Sequence, residues 1–75
     1  MKDQVITLIM EIKKGVTIDE NTNLIFDGVL SSLEIIQMIV EIENKFGVKV
    51  PVEDVLPDNF NTVDAIVQLL KRLKA

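Results

Sequence analysis

Two adjacent serines, Ser31 and Ser32, followed by Leu33 and Glu34, are the residues of this sequence best placed to carry chemistry. With Ser31 as the cap of a helix, Glu34 falls three positions on. That is the spacing of a capping box, in which each side chain satisfies the other residue's backbone N–H. Ser32 then becomes the first helical residue and has no capping duty. Its hydroxyl lies beside unpaired N–H groups and the positive end of the helix dipole, a setting that favours an anion. A phosphate ester on Ser32 would be held where the backbone already favours negative charge. Two serines that merely start a helix account for the same residues, so the surroundings must decide.

Other chemistry is poorly provided for. The 75 residues contain no His and no Cys, which removes the usual base, thiol nucleophile, disulfides and common transition-metal ligand sets. The paired carboxylates Glu53 and Asp54 have no accompanying base or phosphate-binding loop and read as a solvated helix start. Glu20 and Asp58 read as ordinary surface charge. No catalytic residue and no metal site is expected, so the chain is not read as an enzyme. A net charge of -4 opposes binding to nucleic-acid phosphate and attracts basic partner surfaces. Apolar runs fall far short of the roughly 20 residues that span a bilayer. The N-terminus also lacks a basic region leading into an apolar stretch. The expectation is therefore a cytoplasmic monomer without membrane insertion.

The elements that must position Ser32 follow from periodicity. Val5, Leu8, Ile9 and Ile12 recur at helical spacing, predicting a first helix over Asp3 to Lys14. Asp3 is its candidate cap, Lys13 and Lys14 suit its negative end, and Gly15 is its candidate stop. Val16 to Leu30 has no sustained period and reads as a long loop. Its apolar residues, Ile18, Leu24, Ile25, Phe26, Val29 and Leu30, are expected to pin it to the core. Loops of this length in compact domains are often functional. Thr17 and Glu20 match a capping box, so a single helical turn is expected there.

Helix two runs from Ser32 to Phe46 and stops at Gly47. Val48 to Pro51 is extended, a short helical turn is placed at Glu53 to Leu56 before Pro57, and a last helix spans Thr62 to Leu73. In that last helix Val63, Ile66, Val67, Leu70 and Leu73 share a face, with Asn61 or Thr62 as cap. The sum is one all-α domain over residues 1–75. It is a small four-helix bundle of three main helices and one short one, with a long loop between helices one and two.

Placing helix two at about 100° per residue gives two apolar stripes. Ile35, Met38, Ile39, Ile42 and Phe46 form the core face. Leu33, Ile36 and Val40 lie about 130° away. A bundled helix needs only one buried stripe, so the second is a candidate docking surface, although Leu33 could equally tuck beneath the loop. With the polar residues beside it, the candidate partner face is Leu33, Glu34, Ile36, Gln37, Val40, Glu41 and Glu43. Such a face suits an apolar groove with a basic rim.

The segment Phe26, Asp27, Gly28, Val29, Leu30, Ser31, Ser32, Leu33, Glu34 resembles the attachment region of the acyl carrier protein superfamily, which includes peptidyl and D-alanyl carriers. Glu41, Ile42 and Glu43 leading to Phe46, then Val50 and Pro51, then Thr62 opening the last helix, follow the same pattern in order. The resemblance implies a 4'-phosphopantetheine arm on Ser32, donated by coenzyme A through a phosphopantetheinyl transferase. The arm's thiol would carry an acyl group as a thioester between a loading ligase and downstream synthase or transferase enzymes.

The reading this favours is a free-standing acyl carrier, as in fatty acid biosynthesis. D-alanyl or other aminoacyl or peptidyl carriage is the alternative. The Phe26, Asp27, Gly28 approach and the Phe60, Asn61, Thr62 series look D-alanyl-like, whereas Leu33 and Glu34 look acyl-like. One departure stands out: Ser31 occupies a place where acyl carriers usually have Asp. It keeps the cap and loses the carboxylate, which leaves open a helical interaction module that has kept the fold without the modification.

Overall fold

Each amphipathic stretch has one stripe to bury, and the computed structural model, which describes residues 1–74, shows how they share a core. The elements are α1 (Lys2–Ile12), α2 (Ser32–Phe46), α3 (Pro57–Phe60) and α4 (Val63–Lys74), with a 3-10 turn at Val52–Asp54. No strand occurs among the described residues. This is the all-α four-helix architecture with a long first connection that the periodicity implies.

Helix α1 packs on both α2 and α4, and α3 packs on α4. Asp3, Gln4 and Thr7 at the start of α1 share a surface groove with Lys45 and Phe46 at the end of α2. Lys13, just past α1, reaches Glu34 at the start of α2. The two helices therefore run antiparallel. Lys74 Nζ donates to the Phe46 carbonyl at 2.9 Å, tying the C-terminal ends of α2 and α4 together.

The core is aliphatic and continuous. Val5, Leu8 and Ile9 meet Met38 and Ile42, and Phe60, Val63, Ile66, Val67, Leu69 and Leu70 complete it. On α2 only Met38 and Ile42 are fully buried; Ile35, Ile39 and Phe46 pack at its edge, half-exposed. Leu69, outside the periodic set, is also buried. The long connection contributes Ile18, Leu24 and Leu30 to the core, while Phe26 stays in solvent, 64% exposed.

Several local expectations give way. Helix α1 starts at Lys2 with Met1 as cap, so Asp3 serves the dipole in the first turn rather than capping. It ends at Ile12, with Lys13 as C-cap; Gly15, at φ +89, makes the left-handed step two residues later. No helical turn starts at Thr17. Instead Asp19 organises a tight turn: its carboxylate accepts from Asn21 N and its carbonyl from Thr22 N, while Thr22 Oγ1 accepts from Asp19 N. Glu20 pairs with Lys2.

The turn expected at Glu53 to Leu56 is shorter and lies at Val52–Asp54, and a further helical turn, α3, begins at Pro57. Pro57 therefore lies inside a helical turn and not only after one. It is the first residue of α3, where its missing N–H costs nothing, and it holds Leu56 extended as cap. Thr62 caps α4, its Oγ1 accepting from Ala65 N at 3.0 Å, which leaves Asn61 free for another task.

Phe60 is sealed in the core whereas Phe46 is half-exposed. Urea unfolding should show Phe60→Ala costing about 3–5 kcal/mol and Phe46→Ala clearly less.

Candidate functional site

The start of α2 takes the form the spacing implies. Ser31 is extended (φ −76, ψ 169), its Oγ accepts from Glu34 N at 3.3 Å, and its own N–H donates to Glu34 Oε1 at 2.8 Å. The capping box is complete. The Ser31 carbonyl meanwhile accepts from Ile35 N. Of the first N–H groups of α2, those of Ser32 and Leu33 are thus outside both the box and the helical ladder. Ser32 is exposed and takes no part in the cap. Its hydroxyl lies at the positive end of a helix of 15 residues.

Lys13 adds a second support. Its Nζ lies 3.5 Å from Glu34 Oε1, so the tail of α1 is tied to the carboxylate that closes the box. The Ser31 N–H bound to Glu34 holds that carboxyl below the usual carboxylate range; desolvation opposes the shift, and the Ser31 side chain and Lys13 reinforce it.

Ser32 opens on an apolar cleft of about 260 Å³, walled by Ile25, Ile35, Val55, Leu56, Pro57 and Phe60. The long loop, α2, the segment after the 3-10 turn and α3 all contribute to it. None of Ile25, Val55, Leu56 or Phe60 could be assigned to the site from periodicity, because they come from irregular segments and a single short helical turn that converge only in the folded chain.

The second stripe of α2 stands in solvent: Leu33 is 66%, Ile36 58% and Val40 49% exposed. Leu33 therefore does not tuck beneath the loop. Ile36, Gln37, Val40 and Glu41 line one side of a groove of about 550 Å³, with Leu8, Glu11 and Ile12 of α1 opposite. The remaining members of the predicted face have structural duties. Glu34 closes the cap, and Glu43 Oε2 accepts from Val50 N at 2.9 Å, holding the extended return against α2.

Residues 3–70 match a family model described as "Phosphopantetheine attachment site". The chain is 36% identical over 75 residues to the D-alanyl carrier protein of Streptococcus sanguinis (strain SK36), covering 99% of this chain and 95% of that one. It is 35% identical over 75 residues to the D-alanyl carrier protein of Bacillus velezensis (strain DSM 23117 / BGSC 10A6 / LMG 26770 / FZB42), covering 97% and 96%.

The start of α2 fits a phosphodiester-linked arm: an uncommitted hydroxyl, two N–H groups without helical partners, the positive helix end and an adjoining apolar cleft. Among the described residues no cluster of metal-ligating side chains occurs, and no helix is long and apolar enough to cross a membrane.

Because the Glu34 carboxyl is depressed in the folded chain, its contribution to stability is full above the ordinary carboxylate range, near pH 4. It is lost as pH falls through the depressed value. NMR titration should find Glu34 titrating below an ordinary glutamate, with the Ser31 amide resonance moving in step. Glu34→Gln should remove that component of acid destabilisation.

Proposed function

The chain belongs to the acyl carrier protein superfamily and bears covalent 4'-phosphopantetheine, and within that family we propose that it is a D-alanyl carrier with the arm on Ser32. The observation that supports the cargo is whole-length similarity to D-alanyl carrier proteins. It favours the aminoacyl alternative over fatty acyl carriage. The Phe26, Asp27, Gly28 approach and the Phe60, Asn61, Thr62 series, read above as D-alanyl-like, now flank one cleft through Ile25 and Phe60.

When bound, the arm supplies the thiol that bonds to the cargo's carboxyl carbon as a thioester. The chain's own residues do simpler work. Ser32 Oγ provides the oxygen that becomes the ester link, Ser31 and Glu34 hold the first turn, and the Ser32 and Leu33 N–H groups favour the phosphodiester's negative charge. The cleft beside Ser32 offers an apolar wall to the first atoms beyond the phosphate. The cap supports attachment at Ser32 rather than Ser31: Ser31 Oγ is engaged with Glu34 N, and modifying it would break the box.

Ligases and transferases that exchange cargo with this chain are its expected partners, the phosphopantetheinyl transferase first. The exposed Leu33, Ile36 and Val40, with Gln37, Glu41 and Glu11 beside the groove, are the surface for them. An apolar anchor with basic neighbours matches it in shape and charge. The capping geometry also counts against the interaction-module reading, since Ser31 in place of Asp leaves the turn that presents Ser32 intact.

Incubation with coenzyme A and a broad-specificity phosphopantetheinyl transferase should add the mass of one phosphopantetheine, and Ser32→Ala should abolish the gain. The loaded carrier, offered activated D-alanine and activated fatty acids with their ligases, should accept D-alanine; acceptance of fatty acids alone would overturn the cargo. Ile36→Asp should change stability by no more than about 0.5 kcal/mol while impairing loading. A large fall in melting temperature would instead make Ile36 a packing residue.

A further inference from the structure

Asn61, at the junction of α3 and α4, concentrates more long-range hydrogen bonding than its type suggests. Its side-chain oxygen accepts from Ile25 N and Phe26 N, both at 3.0 Å. Its amide nitrogen donates to Asn23 Oδ1 at 2.9 Å, which fixes which way the side chain faces. Its backbone carbonyl accepts from Leu24 N at 2.6 Å. One residue thus satisfies three consecutive backbone N–H groups of the long connection, and none of these bonds belongs to a helix.

The held segment leads directly to the attachment site. The carbonyl of Leu24 accepts from Leu30 N at 2.9 Å, closing the loop immediately before Ser31. Leu24 and Leu30 are both buried, so the closure is anchored in the core. Ile25, whose N–H Asn61 holds, walls the cleft on which Ser32 opens; so does Phe60, the residue preceding Asn61. Phe26, held in the same way, projects into solvent.

We infer that Asn61 is a positioning residue for arm attachment: by clamping the amides of residues 24–26 it fixes the loop and cleft that a phosphopantetheinyl transferase meets beside Ser32. This deepens the proposed function and rests on Ser32 as the attachment site. Without the clamp the loop samples other arrangements. A partner that needs one of them binds more weakly in proportion to the fraction still competent. The chemistry at the Ser32 hydroxyl is untouched, so the loss appears in KM for the carrier and not in kcat.

The test is steady-state transfer from coenzyme A with the carrier as varied substrate, alongside amide hydrogen exchange of the same apo proteins. Asn61→Ala should raise KM about tenfold, as if the competent fraction fell to about a tenth, with kcat within about twofold. Ile25 and Phe26 amides should lose protection. Asn61→Asp keeps an oxygen for both N–H groups and should restore KM to within about threefold of wild type. Asn23→Ala frees the Asn61 amide to rotate and should raise KM by an intermediate factor, which keeps the inference testable if Asn61→Ala does not fold.

Wild-type KM in Asn61→Ala despite lost amide protection would overturn the inference, as would equal impairment of the Ala and Asp variants or a fall in kcat alone. A wild-type chain that gains no mass would overturn the attachment reading and this inference with it. A normal gain with an insensitive Asn61 would overturn only the latter.

Discussion

A connection that leaves α1 at residue 13 and must deliver Ser31 to the start of α2 without a helix or strand of its own is the constraint on which this small domain turns. Its backbone N–H and C=O groups cannot pair in a regular ladder, and leaving them unpaired against the core is costly. Two devices meet the constraint. Ile18, Leu24 and Leu30 are buried as apolar pins, and Asn61 takes the N–H groups that follow and include Leu24. The Leu24 to Leu30 bond then closes the segment so that the next residue is the helix cap. The α3–α4 junction and the start of α2 are thereby locked together although they lie far apart in sequence.

The cap divides labour between neighbours. Ser31 supplies the oxygen and N–H that the capping box consumes, and Ser32 inherits the dipole and a free hydroxyl. Glu34 joins this box to the tail of α1 through Lys13. The acidic side chains of α2 are therefore not equivalent. Glu34 and Glu43 are engaged with the backbone N–H groups of Ser31 and Val50, while Glu41 lines the α1–α2 groove beside exposed Ile36 and Val40. Charge counted along a helix overstates the charge offered to a partner when some carboxylates already hold the fold together.

How much of this is legible in the sequence depends on whether the signal is local. The stripes of α1, α2 and α4 are repeated over several turns, and burial follows those of α1 and α4 closely and that of α2 at Met38 and Ile42; the capping box spans four residues and is formed as spaced. Signals that admit two local meanings mislead. Pro57 suits both the end of one turn and the first residue of the next, and Leu56, extended as cap, selects the second. Gly15 suits a helix stop but lies beyond Lys13, where α1 has already ended. Thr17 and Glu20 satisfy a capping pattern with no periodic helix behind it, and Asp19 satisfies the local amides first. Asn61 was legible only as a possible cap, because its actual partners lie 35 to 38 residues away. The cleft beside Ser32 was illegible for the same reason.

Ser31 in place of an aspartate separates two properties that an acid at this position combines. As an oxygen acceptor for the helix N–H, serine performs comparably to aspartate, so the first turn of α2 and the placement of Ser32 do not need the charge. As an anion it contributes nothing, and the nearest carboxylate in the box, Glu34, lies within reach of the Lys13 ammonium. The electrostatic signal at the attachment turn is correspondingly weak. The apolar signal is not: Leu33 and Phe26 are largely exposed, and Ile36 continues the surface along α2. On the proposed attachment at Ser32, a modifying enzyme would gain more from burying these exposed side chains and from a loop already fixed in place than from pairing with charge at the helix start.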